Sequence, residues 1–141
     1  MNVLDFTDKP TVLVVDDTPD NLSLMAGLLK DQYKVKVANH GDKGLKIAQS
    51  GQPPDLILLD IMMPDLDGYE VCRRLKADAA TRDIPVIFLT AKSTPTDIEK
   101  GLALGANFYI TKPFSGLDLV RKVRQCLELR KSGTTSSPPA P

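Results

Sequence analysis

Five polar side chains follow short apolar segments of the chain, at the points where those segments end. They are Asp16, Asp17, Asp60, Thr90 and Lys112. Short apolar segments bounded by turn signals are typical of strands buried on both faces of a parallel sheet. The carboxyl ends of parallel strands meet at one edge of the sheet, where open α/β sheets bind their ligands. We therefore expect these five side chains to form one site.

Three carboxylates, a hydroxyl and an ammonium favour phosphoryl chemistry around a divalent cation. Carboxylates that lie close together repel one another unless a cation is present. A site with few carboxylates and only oxygen ligands suits Mg²⁺, for which Mn²⁺ can substitute, because Mg²⁺ keeps several waters and shares phosphate oxygens. Asp60 can then act as a nucleophile that accepts a phosphoryl group, while Thr90 and Lys112 stabilise its charge.

The elements that must position these residues alternate along the chain. Five segments have strand patterns, and they begin near Val12, Lys34, Leu56, Ile84 and Phe108. A helix pattern follows each of them. Such alternation predicts an α/β fold with a doubly wound, five-stranded parallel sheet, strand order 2-1-3-4-5 and helices on both faces, the flavodoxin-like arrangement.

Two of the predicted helices have explicit start signals, and apolar faces can be assigned to the last two. A threonine precedes a proline at Thr18 and at Thr94, which indicates a capping hydroxyl and a proline in the first helical position. The apolar face predicted for the fourth helix consists of Ile98, Leu102 and Ala103. The face predicted for the fifth consists of Leu117, Val120, Val123 and Leu127.

Composition narrows the class of protein. The chain has 141 residues, with 18 basic and 18 acidic side chains, so its formal net charge is zero and no nucleic-acid or membrane surface is expected. Cys72 and Cys126 lack metal-ligand spacing and are predicted to be buried reduced thiols. No signal peptide or long apolar stretch is present, which indicates a cytoplasmic protein.

We divide the chain into an N-terminal extension (1–10), one folded domain (11–131) and a disordered tail or linker (132–141).

From roughly Thr11 to Arg130 the sequence resembles the receiver domain of two-component response regulators, of the chemotaxis type. The resemblance is carried by Val-Leu-Val-Val-Asp16-Asp17, Leu-Leu-Asp60-Ile-Met-Met-Pro64-Asp-Leu-Asp-Gly68, Phe-Leu-Thr90-Ala91, Gly105-Ala and Tyr109-Ile-Thr-Lys112-Pro113-Phe. The pair Asn107-Phe108 departs from the residues often found before the aromatic position at Tyr109.

The resemblance implies a role for each site residue. Asp60 would be phosphorylated by a sensor histidine kinase or a phosphotransfer protein. Asp17, Asp60 and the backbone carbonyl of Met62 would bind Mg²⁺ with Asp16 assisting, and Thr90 and Lys112 would contact the phosphoryl group.

The resemblance also implies how the domain acts. Thr90 and Tyr109 would form the switch, and the bond between Lys112 and Pro113 would be cis. The face made by the fourth helix, fifth strand and fifth helix would bind a second copy or an output domain. The domain would be regulatory rather than an enzyme, catalysing only its own phosphorylation and dephosphorylation.

Three other classes of protein share part of this pattern. A phosphatase of the haloacid dehalogenase type also uses a strand-end aspartate, but it has a second acid two positions later, where this chain has Met62. A flavodoxin-like mononucleotide binder would have a glycine- and hydroxyl-rich loop after the first strand, where Asp17-Thr-Pro-Asp20 would repel phosphate. A degenerate receiver that only binds a partner would not be expected to keep all its acids and Lys112.

Overall fold

Strands and helices alternate throughout the part of the chain that the computed structural model describes, which comprises residues 9–91 and 94–131 without the side chains of 130 and 131. The strands are β1 (Thr11–Val15), β2 (Lys34–Ala38), β3 (Leu56–Asp60), β4 (Val86–Thr90) and β5 (Phe108–Thr111). The helices are α1 (Pro19–Leu29), α2 (Gly41–Ala48), α3 (Gly68–Ala77), α4 (Pro95–Ala103) and α5 (Gly116–Lys131). The predicted tail, and all of the predicted extension but residues 9 and 10, lie outside the described residues.

The five strands form one parallel sheet in the order β2-β1-β3-β4-β5, which confirms the predicted fold. Val15 at the end of β1 pairs with Ala38 on one side and with Leu59 on the other. The register across the other half of the sheet pairs Thr90 with Thr111. Because the strands end at nearly the same level, the residues that follow them meet at one edge.

The core consists of two layers, because successive residues of a strand point to opposite faces of the sheet. One layer contains Leu13, Val15, Ile57 and Leu59 under α2 and α3, and the other contains Val12, Val14, Leu56 and Leu58 under α1 and α5. Every residue of β3 and β4 is buried, as expected for central strands of a parallel sheet.

Both cysteines are buried, one in each layer of the core, and neither forms a disulfide. Burial raises the pKa of the Cys72 thiol to about 11. The prediction of buried reduced thiols is therefore confirmed. None of the helices in the described part of the chain combines the length and apolar character that crossing a bilayer requires.

The predicted apolar face of α4 is wrong. Leu102 is 42% exposed and Ala103 is exposed, while Ile98 is half-buried. The residue that α4 buries against the sheet is Gly101, where an added Cβ would lie 2.8 Å from the ring of Phe88. Because α4 approaches the sheet closely at this glycine, Leu102 lies at the edge of the contact, where it lines the small space beneath the helix and stays partly exposed.

The predicted face of α5 is also partly wrong. Leu117 is 68% exposed, whereas Leu119, Val123 and Cys126 are buried. Residues 117 and 119 are two positions apart and therefore lie on nearly opposite sides of a helix. Val120 and Leu127 are half-buried at the margin of the true face.

The two predicted helix caps have different outcomes. The Thr94 hydroxyl accepts a hydrogen bond from the Asp97 amide at 3.2 Å, which confirms the cap of α4. Thr18 occupies the cap position of α1, but its side chain makes no capping hydrogen bond. Its backbone amide instead donates to Asp16 Oδ1 at 2.9 Å, so the start of α1 is held by the acidic side chain that precedes it.

The turn after β3 depends on Gly68. The Gly68 amide donates to the Ile61 carbonyl at 3.0 Å, which folds the chain tightly back onto the end of the strand. A Cβ at this position would collide with the Asp60 carbonyl oxygen and would lie 2.7 Å from Ile61 Cα. Both obstacles are backbone atoms and cannot move aside, so the position accepts only glycine.

We expect Gly68→Ala to lower the free energy of unfolding by about 1–3 kcal/mol, the range found for overpacked sites. The matched control is Gly27→Ala on the exposed side of α1, where nothing lies within 4 Å of an added Cβ. That control should raise the free energy of unfolding by up to about 1 kcal/mol, because alanine is the better helix former. Urea denaturation of the two variants measures both, and equal effects would contradict the role given to Gly68.

Candidate functional site

Three carboxylates meet at the carboxyl edge of the sheet. Asp16, Asp17 and Asp60 each offer an oxygen, and these oxygens lie within 4.8 Å of one another. They converge because β1 and β3 are hydrogen-bonded neighbours that end at the same level. Asp16 is fully buried, Asp60 is 2% exposed and Asp17 faces the solvent. The structure thus brings together the three acids that the sequence predicted.

Lys112 places its ammonium between the two buried carboxylates. Its Nζ lies 3.3 Å from Asp16 Oδ2 and 3.2 Å from Asp60 Oδ1. The backbone of Lys112 is fixed by its amide, which donates to the Thr90 carbonyl at 2.8 Å beside the end of β4. The bond between Lys112 and Pro113 is cis, as the resemblance implied.

Asp16 is held by three donors. Its Oδ1 accepts the amide of Thr18, and its Oδ2 accepts both the ammonium of Lys112 and the side-chain amide of Asn21 at 3.3 Å. By contrast, Asp17 receives no hydrogen bond or ion pair from the described residues and is the carboxylate most open to an added ligand. Sequence reasoning missed Asn21, since an asparagine in the first turn of a helix carries no chemical signal by itself.

The electrostatics of the site disfavour its negative charge. Burial, with the neighbouring Asp16 carboxylate, raises the pKa of Asp60 to about 6, although Lys112 and the Met62 amide act in the opposite direction. Burial would lower the pKa of Lys112, but the Asp60 and Asp16 carboxylates outweigh it and the net pKa of Lys112 is raised. One ammonium is therefore not enough to compensate the acids around it.

The donor set fits a hard divalent cation. All candidate side-chain ligands are carboxylate oxygens, two of them are fixed by burial, and the third is open to solvent. An oxygen-only set with few protein ligands is the type that Mg²⁺ accepts, because that ion retains several waters. Burial first, and then the neighbouring Asp16 carboxylate, raise the pKa of Asp60, so added positive charge would favour its ionised form.

Thr90 and Met62 flank the phosphoryl-accepting position predicted at Asp60. Thr90 is buried at the end of β4, adjacent to the end of β3. The Met62 amide donates to Asp60 Oδ1 at 3.3 Å, while its side chain is 56% exposed. The loop that carries Met62 thus orients the Asp60 carboxylate through a backbone amide.

Thr90 and the half-buried Tyr109 line one small cavity, which has room for about one water molecule at about 10 Å³. Phe88 and the α4 residues Ile98 and Gly101 form other walls of this cavity. The two residues predicted as a switch therefore lie on a shared empty space beneath α4.

Two contacts near this cavity were not predicted. The Asn107 side chain accepts the Val86 amide at 3.1 Å, so the pair that departs from the family pattern joins the beginnings of β4 and β5. Tyr69 packs edge-on against Phe88 with 5.6 Å between ring centroids, and Lys100 Nζ lies 4.3 Å above the Tyr69 ring. A contact between separate helices such as this one leaves no periodic signal in the sequence.

Comparisons with known proteins agree with this geometry. The sequence model of the response regulator receiver domain matches residues 12–124. The chain is 44% identical over 122 residues to a probable cyclic di-GMP phosphodiesterase of Vibrio cholerae, covering 86% of this chain and 27% of that protein. It is 44% identical over 114 residues to the response regulator PleD of Caulobacter vibrioides, covering 80% of this chain and 25% of PleD. The chain thus spans about a quarter of the length of these two relatives.

A solved structure shows the same fold. The signal receiver domain of a signal transduction histidine kinase from Syntrophus aciditrophicus matches with a TM-score of 0.77 and 33% sequence identity, covering 94% of this chain and 97% of that one.

If Asp17 is a direct metal ligand, Asp17→Ala should weaken Mg²⁺ binding about tenfold or more, because one of three attracting charges is lost. Its stability should be unchanged or slightly raised, since the substitution also removes like-charge repulsion. The matched control is Asp20→Ala, one turn away on the solvent side of α1. Mg²⁺ titration followed by amide NMR measures both affinities, and wild-type affinity in the folded Asp17→Ala protein would exclude the ligand role.

Proposed function

Because this chain belongs to the response regulator receiver family, we propose that its acidic site takes a phosphoryl group from a sensor histidine kinase or a phosphotransfer protein onto Asp60. One observation carries the assignment to Asp60. It is the carboxylate at the end of the central strand β3, one of its oxygens lies within 4.8 Å of oxygens of the other two acids, and the ammonium of Lys112 lies 3.2 Å from it. The residue two positions later, Met62, cannot serve as the general acid of a phosphatase.

We assign the metal site to Asp17, Asp60 and the backbone carbonyl of Met62, with Asp16 assisting. The bound ion would be Mg²⁺, with Mn²⁺ as a substitute, and it would supply positive charge to the oxygens of the incoming group. The exposed carboxylate of Asp17 offers the open ligand, whereas the buried Asp16 is already occupied by three donors.

In the transfer itself, an Asp60 carboxylate oxygen attacks the phosphorus of the donor. The new O–P bond forms as the P–N bond to the donor imidazole breaks, and the imidazole nitrogen keeps the electron pair. Lys112 moves from compensating Asp60 to compensating a phosphoryl oxygen, and the Thr90 hydroxyl donates to another. The domain in this view performs only its own phosphorylation and dephosphorylation and acts as a regulator.

The test of the phosphosite uses acetyl phosphate with Mg²⁺ and intact-mass analysis. Wild-type protein should gain one phosphoryl group, and Asp60→Asn should gain none, because a carboxamide is not a nucleophile. Asp65→Asn is the matched control, since Asp65 is an exposed acid in the same loop with a positive φ of 66° that asparagine also tolerates. Labelling of Asp60→Asn at the wild-type level would overturn the assignment.

The phosphoryl signal is proposed to leave the site through Thr90, Tyr109 and α4. A phosphoryl group adds a charge of about −1.5 to −2 and new acceptor oxygens. If the Thr90 hydroxyl turns toward those oxygens, the cavity that it shares with Tyr109 enlarges and the tyrosine ring can turn inward. The walls of the cavity include Ile98 and Gly101, so α4 is the element whose position would respond.

The face formed by α4, β5 and α5 is accordingly the proposed surface for a second copy or an output domain. We place the receiver at residues 11–131 and treat 132–141 as the linker or tail. We propose that the protein is located in the cytoplasm, where histidine kinases obtain ATP.

Beryllofluoride, a mimic of the acyl phosphate, tests this route by amide and aromatic NMR. With Mg²⁺ present, large shifts should appear at Thr90, at Tyr109 and along α4. The Tyr69 ring should also shift, because Lys100 of α4 lies above it. Residues of α1 beyond its first turn should change little, and the Asp60→Asn protein provides the background. Shifts confined to the loops around Asp17 and Asp60 would contradict the route.

A further inference from the structure

The side-chain amide of Asn21 donates to a carboxylate oxygen that also carries the ammonium of Lys112. Both donors lie 3.3 Å from Asp16 Oδ2, and Asp16 is fully buried. Asn21 is half-buried in the first turn of α1. Of its two side-chain groups, only the NH₂ group can donate to a carboxylate, so the orientation of the amide is fixed by its partner.

We propose that Asn21 is a positioning residue of the acidic site, which keeps the buried Asp16 carboxylate compensated when Lys112 is drawn to the phosphoryl group on Asp60. The proposal rests on the proposed function, because it assigns a role in the same transfer. Asn21 itself contacts neither the phosphoryl group nor the reacting oxygen.

The number of donors on each Asp16 oxygen supports this role. Among the described residues, Oδ1 accepts one hydrogen bond, from the Thr18 amide, and Oδ2 accepts two. Lys112 also holds Asp60 at 3.2 Å, so any displacement of its ammonium toward a new anion weakens its contact with Asp16. A buried carboxylate that loses its ion-pair partner is strongly disfavoured unless hydrogen bonds remain. The Asn21 amide is the donor that remains on that oxygen.

Without Asn21, Asp16 would retain Lys112 more tightly, and release of the ammonium toward the phosphoryl group would become less favourable. We therefore expect Asn21→Ala to bind beryllofluoride, in the presence of saturating Mg²⁺, about tenfold more weakly than wild type, the effect of about one hydrogen bond to a charged group. Asn21→Gln, which keeps an amide donor, should recover part of the loss.

The matched control is Asn39→Ala, the same substitution at an exposed position that follows β2 on the same edge of the sheet. This control should bind beryllofluoride as wild type does. A purely structural role for Asn21 on α1 would lower the melting temperature and leave the beryllofluoride affinity of the folded protein unchanged.

A second measurement needs neither metal nor phosphoryl group. Asn21 and Lys112 compensate the same oxygen, so their losses should be coupled in a double-mutant cycle of urea unfolding in EDTA. Asn21→Ala should raise the equilibrium constant of unfolding in both backgrounds, and the factor should be at least about threefold larger in Lys112→Met than in wild type. If the Lys112→Met protein does not fold, the beryllofluoride affinities of wild type, Asn21→Ala and Asn21→Gln alone test the role of Asn21.

The outcomes separate this proposal from the one on which it rests. If wild-type protein is not phosphorylated on Asp60, the proposed function fails, whatever the Asn21 variants do. If wild type is phosphorylated on Asp60 but folded Asn21→Ala binds beryllofluoride with wild-type affinity, only the role of Asn21 is overturned. Weaker binding by Asn21→Ala with partial recovery in Asn21→Gln supports it.

Discussion

An ammonium shared by two buried carboxylates is the interaction on which the functional edge of this sheet depends. Lys112 lies 3.3 Å from Asp16 and 3.2 Å from Asp60, and neither acid is more than 2% exposed. Removing one member of a buried ionic group leaves an uncompensated charge and typically costs about 3–5 kcal/mol. Even with all members present, burial keeps the pKa of Asp60 raised, to about 6. Burial and the neighbouring Asp16 carboxylate thus disfavour the ionised form of Asp60, and a bound cation would favour it.

The order of the strands is what makes that arrangement possible. Because β1 and β3 are neighbours, Asp16 and Asp60 lie side by side at the edge of the sheet. Lys112 follows β5, on the other side of β4 from β3, and its long side chain reaches both acids. The turn after β3 then returns over the end of the strand, where Gly68 is packed against backbone atoms. The Met62 amide in that turn holds Asp60 Oδ1 at 3.3 Å. Sheet topology brings the acids together, and the turn sets the orientation of Asp60.

The sheet, and the meeting of Asp16, Asp17, Asp60 and Lys112 at its edge, could be predicted from the sequence because each signal was local. Uninterrupted apolar runs mark central strands, and a polar residue at the end of each run needs only the parallel topology to be placed. The errors occurred where a neighbour decides the outcome. Leu102 looked like a core residue of α4, but the close approach of Gly101 to Phe88 excludes it. Thr18 looked like a cap, but the preceding acid holds its amide instead. The role of Asn21 could not be predicted for the same reason, because its partner Asp16 is identified only in the folded structure.

The helices are packed unevenly against the two faces of the sheet. On one face of the sheet, α1 and α5 bury large side chains such as Leu29 and Leu119, so displacing them would open the core. On the other face, α4 rests on the sheet through Gly101 and leaves Leu102 largely outside. Beside it the Tyr69 hydroxyl is buried without a hydrogen bond in the described part of the chain, a state that costs about 1–3 kcal/mol. Elements with few buried apolar contacts have low local stability. Among the described residues of α4, Gly101 is the one that is buried, whereas α1 buries Met25 and Leu29, so α4 is the easier of the two helices to move and the packing supports the proposed route from Thr90 to α4.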